Sequence, residues 1–317
     1  MLVSQQQALA LLTRGDIVAV PTETVYGLAG RIDSDSALKS IFSTKARPFF
    51  DPLIVHVAGV EVARTLTSFW PGIFDVLADA FWPGPLTLIA PKAAHVSPLI
   101  TSGLMTVAVR CPNHPLALAL LRALPAPFAA PSANHFGRTS PTSAKHVEDE
   151  FAGQVPVLDG GPAPIGVEST VLSAELESGI WRIKIHRPGA ITGADISAVL
   201  KSTPHTIVRE ASLAAPGQLK AHYQPESPVV IVEGTAWNDE MLRTVAQILG
   251  RELTSATELK LPARSEEAAR LLYEELRRLS RTSTDLIYVR RDSTHQGEYW
   301  AAVWDRLERA SSTVIRG

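Results

Sequence analysis

Apolar residues recur along the chain at two spacings, and the alternation between them predicts an α/β protein. Ser4-Gln5-Gln6-Gln7 has the form of a capping box; Ala8, Leu11 and Leu12 then share one helical face, and Gly15 supplies a stop. Ile17 to Val20 follows as a short strand-like run closed by Pro21, with Thr22-Glu23-Thr24-Val25-Tyr26-Gly27 as a polar turn at its end. In open α/β sheets such strand ends are where ligands bind. Ser34 or Asp35 caps a second helix with apolar positions Leu38, Ile41 and Phe42, and this helix delivers Lys45 and Arg47 ahead of Pro48. Strand-like runs recur at Leu53–Val57, Leu86–Ala90, Val107–Val109, Phe128–Ala130, Val155–Leu158, Val167–Leu172 and Ile183–Ile185. Between them, Pro115–Leu124 is apolar almost throughout and Ser143–Phe151 carries an acidic face, so helices are expected on both sides of the sheet.

From about Arg209 to Pro228 the periodicity lapses, and the stretch from Ala215 to Pro225 reads as an extended linker with fixed turns. A second alternation then runs through Val229–Val232, a helix near Asn238–Leu249, Ser265–Leu279, Leu286–Val289 and Ala301–Ala310. Ala268, Leu272, Leu276 and Leu279 fit the 3.6-residue period. The expected division is a first domain at 1–205, a linker at 206–228 and a smaller α/β domain at 229–317, the last without a catalytic constellation.

Composition narrows the function. With 317 residues and a formal net charge of -2, the chain is long enough for two domains and too near neutrality for bulk nucleic-acid binding, although a local basic cleft is compatible with that balance. Its one cysteine, Cys111, has no disulfide partner within the chain and sits beside an apolar strand pattern, which reads as a small buried hydrophobe. Neither a signal-peptide pattern at Met1–Gly15 nor a run of about 18 apolar residues is present. A cytoplasmic protein without a membrane span is the expectation.

The usual nucleotide and hydrolase signatures, including the P-loop and GxGxxG, are missing. Instead, Lys45-Ala46-Arg47-Pro48, Ser132-Ala133-Asn134 and Arg187-Pro188-Gly189 pair cationic or short polar donors with rigid turns. A planar guanidinium fork, a compact ammonium and short donors together suit a polyphosphate. Each segment alone reads more readily as ordinary solvated surface, so the reading rests on their combination, and the helix macrodipole by itself favours cations where Lys45 and Arg47 lie. His56, alone on an apolar strand, is of the kind usually found as a core residue, and Glu168 reads either as a buried structural acid or as an ion-pair partner.

Seven segments in order resemble the YrdC/Sua5 family: Pro21 to Leu28, Lys45 to Pro48, Pro52 to His56, Trp82 to Thr87, Ala108 to Arg110, Pro131 to Asn134 and Glu168 to Val171. The resemblance is dense from Ser4 to Ile191, and the stretch from Pro216 to Pro225 followed by a C-terminal α/β domain is similar to the longer Sua5 branch. It implies an open, twisted mixed sheet with a concave cavity, plus a smaller Rossmann-like domain. The implied enzyme is an L-threonylcarbamoyladenylate synthase, a nucleotidyltransferase that joins L-threonine, bicarbonate and ATP and releases pyrophosphate. Its product would feed a downstream transferase that modifies adenosine 37 of tRNA; whether this chain touches tRNA directly is not decided by the sequence. By the same resemblance Lys45 and Arg47 would be the catalytic cations. Those two would hold ATP together with Asp51, Ser132, Asn134, Ser140, Thr142, Arg187 and Tyr223, Tyr223 acting as a lid. Thr24, Tyr26, His56, Arg110, Ser169 and Thr170 would surround threonine. Asp51 departs from the small polar residue common in the family and is expected to face Mg²⁺ or pair with Arg47. Mg²⁺ is expected with ATP, and no dedicated ligand pair is evident. Two alternatives are a carbamoyl-phosphate-using carbamoyl-adenylate enzyme and a noncatalytic module binding double-stranded RNA.

Overall fold

The computed structural model describes residues 1–210, 222–234 and 236–316, so residues 211–221 of the expected linker lie outside the described residues. The described residues divide into two compact units, one of residues 1–136 and 141–210 and the other of 137–140 and 222–316.

The first unit is organised by an eleven-stranded mixed sheet. From edge to edge the strands are Leu2–Val3, Val157–Leu158, Val18–Val20, Gly27–Arg31, Phe128–Ala129, Ile54–His56, Thr106–Arg110, Leu86–Pro91, Thr170–Glu177, Ile180–Arg187 and His205–Arg209. Strand pairing thus continues to Arg209, past residue 205 where the pattern ends the first domain. Ile54–His56 runs parallel to Thr106–Arg110, and Leu86–Pro91 runs parallel to Thr170–Glu177, while Leu86–Pro91 and Thr106–Arg110 are antiparallel.

Local signals fix the helices that flank this sheet. Ser4 and Gln7 form a reciprocal capping box on Gln5–Arg14, and Gly15 closes that helix at φ 87°. Ser34 caps Asp35–Lys45 through the amide of Ala37. That helix sits tightly on the sheet at Gly30, where an added Cβ would stand 3.0 Å from Ile41 Cδ1 and 3.3 Å from Ala37 Cβ.

Because side chains alternate along a strand, each face of the sheet has its own set of residues. On one face, Val55, Leu86, Leu88, Val107, Val109, Leu172, Ile183 and Ile185 join Leu38, Ile41, Phe42, Phe74, Leu77, Ile196 and Leu200, supplied by the helices Asp35–Lys45, Ile73–Phe81 and Gly193–Leu200. On the other face, Val18, Val20, Ala29 and Phe128 pack with Ala8 and Leu12 of the first helix and with Leu120 and Leu121 of Pro115–Ala123. Further along that second face lies a cluster of only four buried apolar residues, Ile54, Ile89, Ala108 and Val171. All four come from strands and none from a helix.

The second unit holds a four-stranded parallel sheet in the order Ala256–Glu258, Leu286–Arg291, Val229–Glu233, Ser311–Arg316, with helices Asp239–Leu249, Ser265–Ser280 and Glu298–Ala310. The mixed sheet and the smaller Rossmann-like sheet expected from the sequence are both present. Among the described residues no helix is long and apolar enough to cross a membrane.

Candidate functional site

The four-residue apolar floor is bordered by charged and polar groups that share its face. His56 lies two residues beyond Ile54, Arg110 two beyond Ala108, Thr87 two before Ile89, and Arg187 pairs in register with Val171. His56 and Arg110 are themselves register partners. These side chains are all buried.

At this end of the floor Arg110 Nη2 lies 2.7 Å from Glu23 Oε1, and Arg110 Nε donates to the carbonyl of Gly84 at 3.3 Å. His56 stacks on Phe128 with ring centres 5.7 Å apart. Burial and the adjacent Arg110 charge push its imidazole down to about 3, so it is neutral near pH 7. Across the floor, Ser169 Oγ lies 2.7 Å from Thr87 Oγ1, and Arg187 donates from Nη2 to Ser169 Oγ at 3.0 Å and from Nε to the Ser169 carbonyl at 3.1 Å. The turn after Arg187 passes so near that a Cβ on Gly189 would stand 2.3 Å from Thr170 N and 2.6 Å from Ser169 C.

A second set of polar side chains lies at the opposite end of the strand Ile54–His56, which rises about 3.3 Å per residue. There the Ala130 amide donates to the Ile54 carbonyl, and the chain continues into Ser132 and Asn134. Lys45, at the last turn of its helix, sends Nζ to the carbonyls of Ser132 and Asn134, each at 2.5 Å. Burial, reinforced by the charge of Arg47, pulls the Lys45 ammonium well below the usual lysine range. Arg47 donates to the carbonyls of Asp51 and Pro52 and forms an ion pair with Asp51 at 2.9 Å, both side chains about 5% exposed. Asp51 thus makes the pairing with Arg47, one of the two roles expected of it.

The structure therefore gathers Lys45, Arg47, Asp51, Ser132 and Asn134 at one end, and His56, Arg110, Ser169 and Arg187 at the other. Arg187, read from the sequence as a nucleotide contact, is bonded to Ser169 of the second group. Thr24 is buried and bonded to Thr22, next to Glu23. Other expected site residues are occupied elsewhere. The Tyr26 hydroxyl donates to Gly161 O at 2.8 Å and accepts from the Gly160 amide, its ring packs with Leu28 and Val147, and burial raises it to about 12. The Thr142 hydroxyl meets His146 Nδ1, and the Thr170 hydroxyl donates to the Ile191 carbonyl. Ser140 and Tyr223 belong to the second unit. Tyr223, expected to act as a lid, is 1% exposed there and stacks on Tyr273, with Arg306 above its ring at 5.8 Å.

Two residues escaped the sequence reading. Glu23 and Thr87 both sit inside the family-like segments, but their partners Arg110 and Ser169 are 87 and 82 positions away, as 110 − 23 and 169 − 87 give. Among the described residues no group of three His, Cys, Asp or Glu side chains is placed to hold a metal ion. Cys111 is buried, and burial pushes its thiol up to about 11, which leaves it unreactive.

The Sua5/YciO/YrdC family profile, described as "Telomere recombination", matches residues 10–189. The chain belongs to the Sua5/YciO/YrdC family. A second profile, "Threonylcarbamoyl-AMP synthase, C-terminal domain", matches residues 191–312. The chain is similar to the threonylcarbamoyl-AMP synthase of Pyrococcus abyssi (strain GE5 / Orsay), 38% identical over 97% of this chain and 94% of that protein. It is also similar to the threonylcarbamoyl-AMP synthase of Bacillus subtilis (strain 168), 39% identical over 98% and 94%. Among solved structures, P. abyssi Sua5 complexed with L-threonine superposes with a TM-score of 0.83 at 34% identity, covering 100% of this chain and 99% of that one.

Proposed function

We propose that this chain is an L-threonylcarbamoyl-AMP synthase of the cytoplasm, converting L-threonine, bicarbonate and ATP into threonylcarbamoyl-AMP and pyrophosphate for the modification of tRNA. The observation that carries this reading is the pair of buried polar groups at the two ends of Ile54–His56, on a stretch of sheet whose apolar floor uses no helix. One end suits a triphosphate and the other an amino acid.

The chemistry asks for positioning more than for a protein nucleophile. The threonine ammonium gives up a proton to solvent. The amine nitrogen then bonds to the carbon of carbon dioxide with loss of a second proton to solvent, or to the carbon of bicarbonate with that proton leaving on hydroxide as water. An oxygen of the resulting carbamate then bonds to the α-phosphorus of ATP, and the bond from that phosphorus to the pyrophosphate oxygen breaks. Both partners are anions, so fixed cations lower their repulsion, and exclusion of water extends the life of the carbamate.

As an ammonium, Lys45 has three N–H donors; two go to carbonyls and the third is left for a phosphate. An arriving polyphosphate stabilises the ammonium form that burial disfavours. Arg47, braced by Asp51, stands beside it, with Ser132 and Asn134 completing the nucleotide end. Arg110 takes the threonine carboxylate, with Thr24, the neutral His56 and Ser169 around the rest of the amino acid. Arg187 fixes Ser169 and adds positive charge there. Magnesium enters with the substrate as Mg-ATP, held by phosphate oxygens and water, since the acid nearest Lys45 and Arg47 is engaged by Arg47.

Incubating the pure protein with Mg-ATP, L-threonine and bicarbonate tests this. Pyrophosphate release that needs both threonine and bicarbonate is the expected result. Release indifferent to either one, or no release, rejects the assignment and returns the carbamoyl-phosphate and RNA-binding readings to consideration.

A further inference from the structure

Glu23 and Arg110 are buried to within 5% and 4% of full enclosure, yet neither is saturated. Their closest atoms stand 2.7 Å apart, but among the described residues neither Glu23 oxygen accepts a directed hydrogen bond and Arg110 Nη2 donates none. Among the same residues the guanidinium makes a single hydrogen bond, from Nε to Gly84. A carboxylate has about four acceptor positions and a guanidinium five donors, so most of the capacity of both groups is unused. Buried charges left in this state are costly, and such groups in folded proteins call for an explanation.

The two unused valences have opposite signs and lie side by side. A free α-amino acid near neutral pH carries an anion and a cation on adjacent atoms of one small skeleton. We propose that Glu23 and Arg110 form a zwitterion receptor, in which Glu23 takes the α-ammonium of the substrate amino acid while Arg110 takes its α-carboxylate. This inference rests on the function proposed above and adds Glu23 to it as a residue that reads the substrate's amine. It also gives the reaction a direction. The bound ammonium first gives up one proton to solvent to become the nucleophilic amine. Bonding of its nitrogen to the carbon sends a second proton to solvent, or onto the departing hydroxide of bicarbonate as water. The positive charge is gone and an anion stands in its place, so the attraction to Glu23 turns into repulsion and the new carboxylate is pushed toward the cations at the Lys45 end.

A different role for Glu23, merely bracing Arg110, predicts another pattern of binding. The two are separated by calorimetric titration of the full chain with L-threonine and with (R)-3-hydroxybutyrate, which keeps the carboxylate and hydroxyl and lacks the amine. The wild type is expected to prefer threonine by about 10-fold to 100-fold, the range of one charge-assisted contact. Glu23→Gln is expected to reduce that preference to less than about 3-fold. If Glu23 only braces Arg110, the variant weakens both ligands together and the preference survives, which overturns the proposal. Should the variant fail to fold, the wild type alone still decides: near-equal affinity for the two ligands overturns the receptor. A wild type that binds neither ligand removes the proposed function itself, and the receptor with it.

Discussion

The strands Ile54–His56, Leu86–Pro91 and Thr106–Arg110 give alternate residues to two unlike surfaces. Val55, Leu88 and Val109 enter a large apolar cluster with three helices, whereas Ile54, Ile89 and Ala108 make a thin floor edged by His56, Thr87 and Arg110. One backbone thus serves two ends. The helix-packed face supplies burial and holds the strands in register; the opposite face uses that rigidity to keep charged groups in place at the cost of desolvating them.

Substitutions on the two faces should therefore fail in different ways. Arg110→Ala leaves Glu23 buried without its counter-ion, and is expected to cost about 3–5 kcal/mol of stability. It should also raise the threonine requirement far more than the ATP requirement. Chemical denaturation together with KM for each substrate checks both, and equal rises in the two KM values would remove Arg110 from the amino-acid end. Leu88→Ala, one strand away on the packed face, should cost about 2–5 kcal/mol through lost burial and a cavity. In the folded fraction both KM values should stay at wild-type levels; a selective loss of threonine affinity would erase the distinction between the faces.

The smallest effect concerns pH. The folded value of His56, about 3, lies below the ordinary imidazole value of 6.5, so the unfolded chain binds that proton more readily between the two. Stability is fully present above 6.5 and falls as pH drops through this window, by about 2 kcal/mol from His56 between pH 7 and 5. His114 and His186, also lowered by burial, add to the same slope. His56→Gln should flatten the acid limb without abolishing it, as followed by denaturation at pH 7 and pH 5. An unchanged slope would mean that His56 binds its proton as readily in the folded protein as in the unfolded chain.

Local chemistry made much of this fold readable. The capping box at Ser4 and Gln7, the cap at Ser34 and the strand runs around Ile54, Leu88 and Ala108 all follow from periods and end signals within a few residues. The hairpin Thr170–Glu177 and Ile180–Arg187 was legible only in part. Its turn, Ser178-Gly179, has positive φ at both positions as a two-residue hairpin turn requires, but the strands leave their helix-covered register there and carry exposed Glu175, Leu176, Glu177 and Ile180. Apolar alternation fades where a sheet edge meets water. In the site, the helix-end cations and the Ser132 turn were visible because their neighbours are sequential. Which side chain meets which was not: Lys45 on the carbonyls of Ser132 and Asn134, Arg110 on Glu23 and Arg187 on Ser169 are long-range pairings with no local signal. Tyr26 shows the converse, since its place in a family-like segment says nothing about which face of the sheet its ring occupies.

The turn at Gly189 also limits how this protein can be redesigned. Any side chain there would press into the peptide between Ser169 and Thr170, and backbone has no rotamer by which to yield. An effort to reshape the amino-acid end for a bulkier substrate has to act through side chains such as those of Thr87 or Ser169, whereas position 189 admits hydrogen alone.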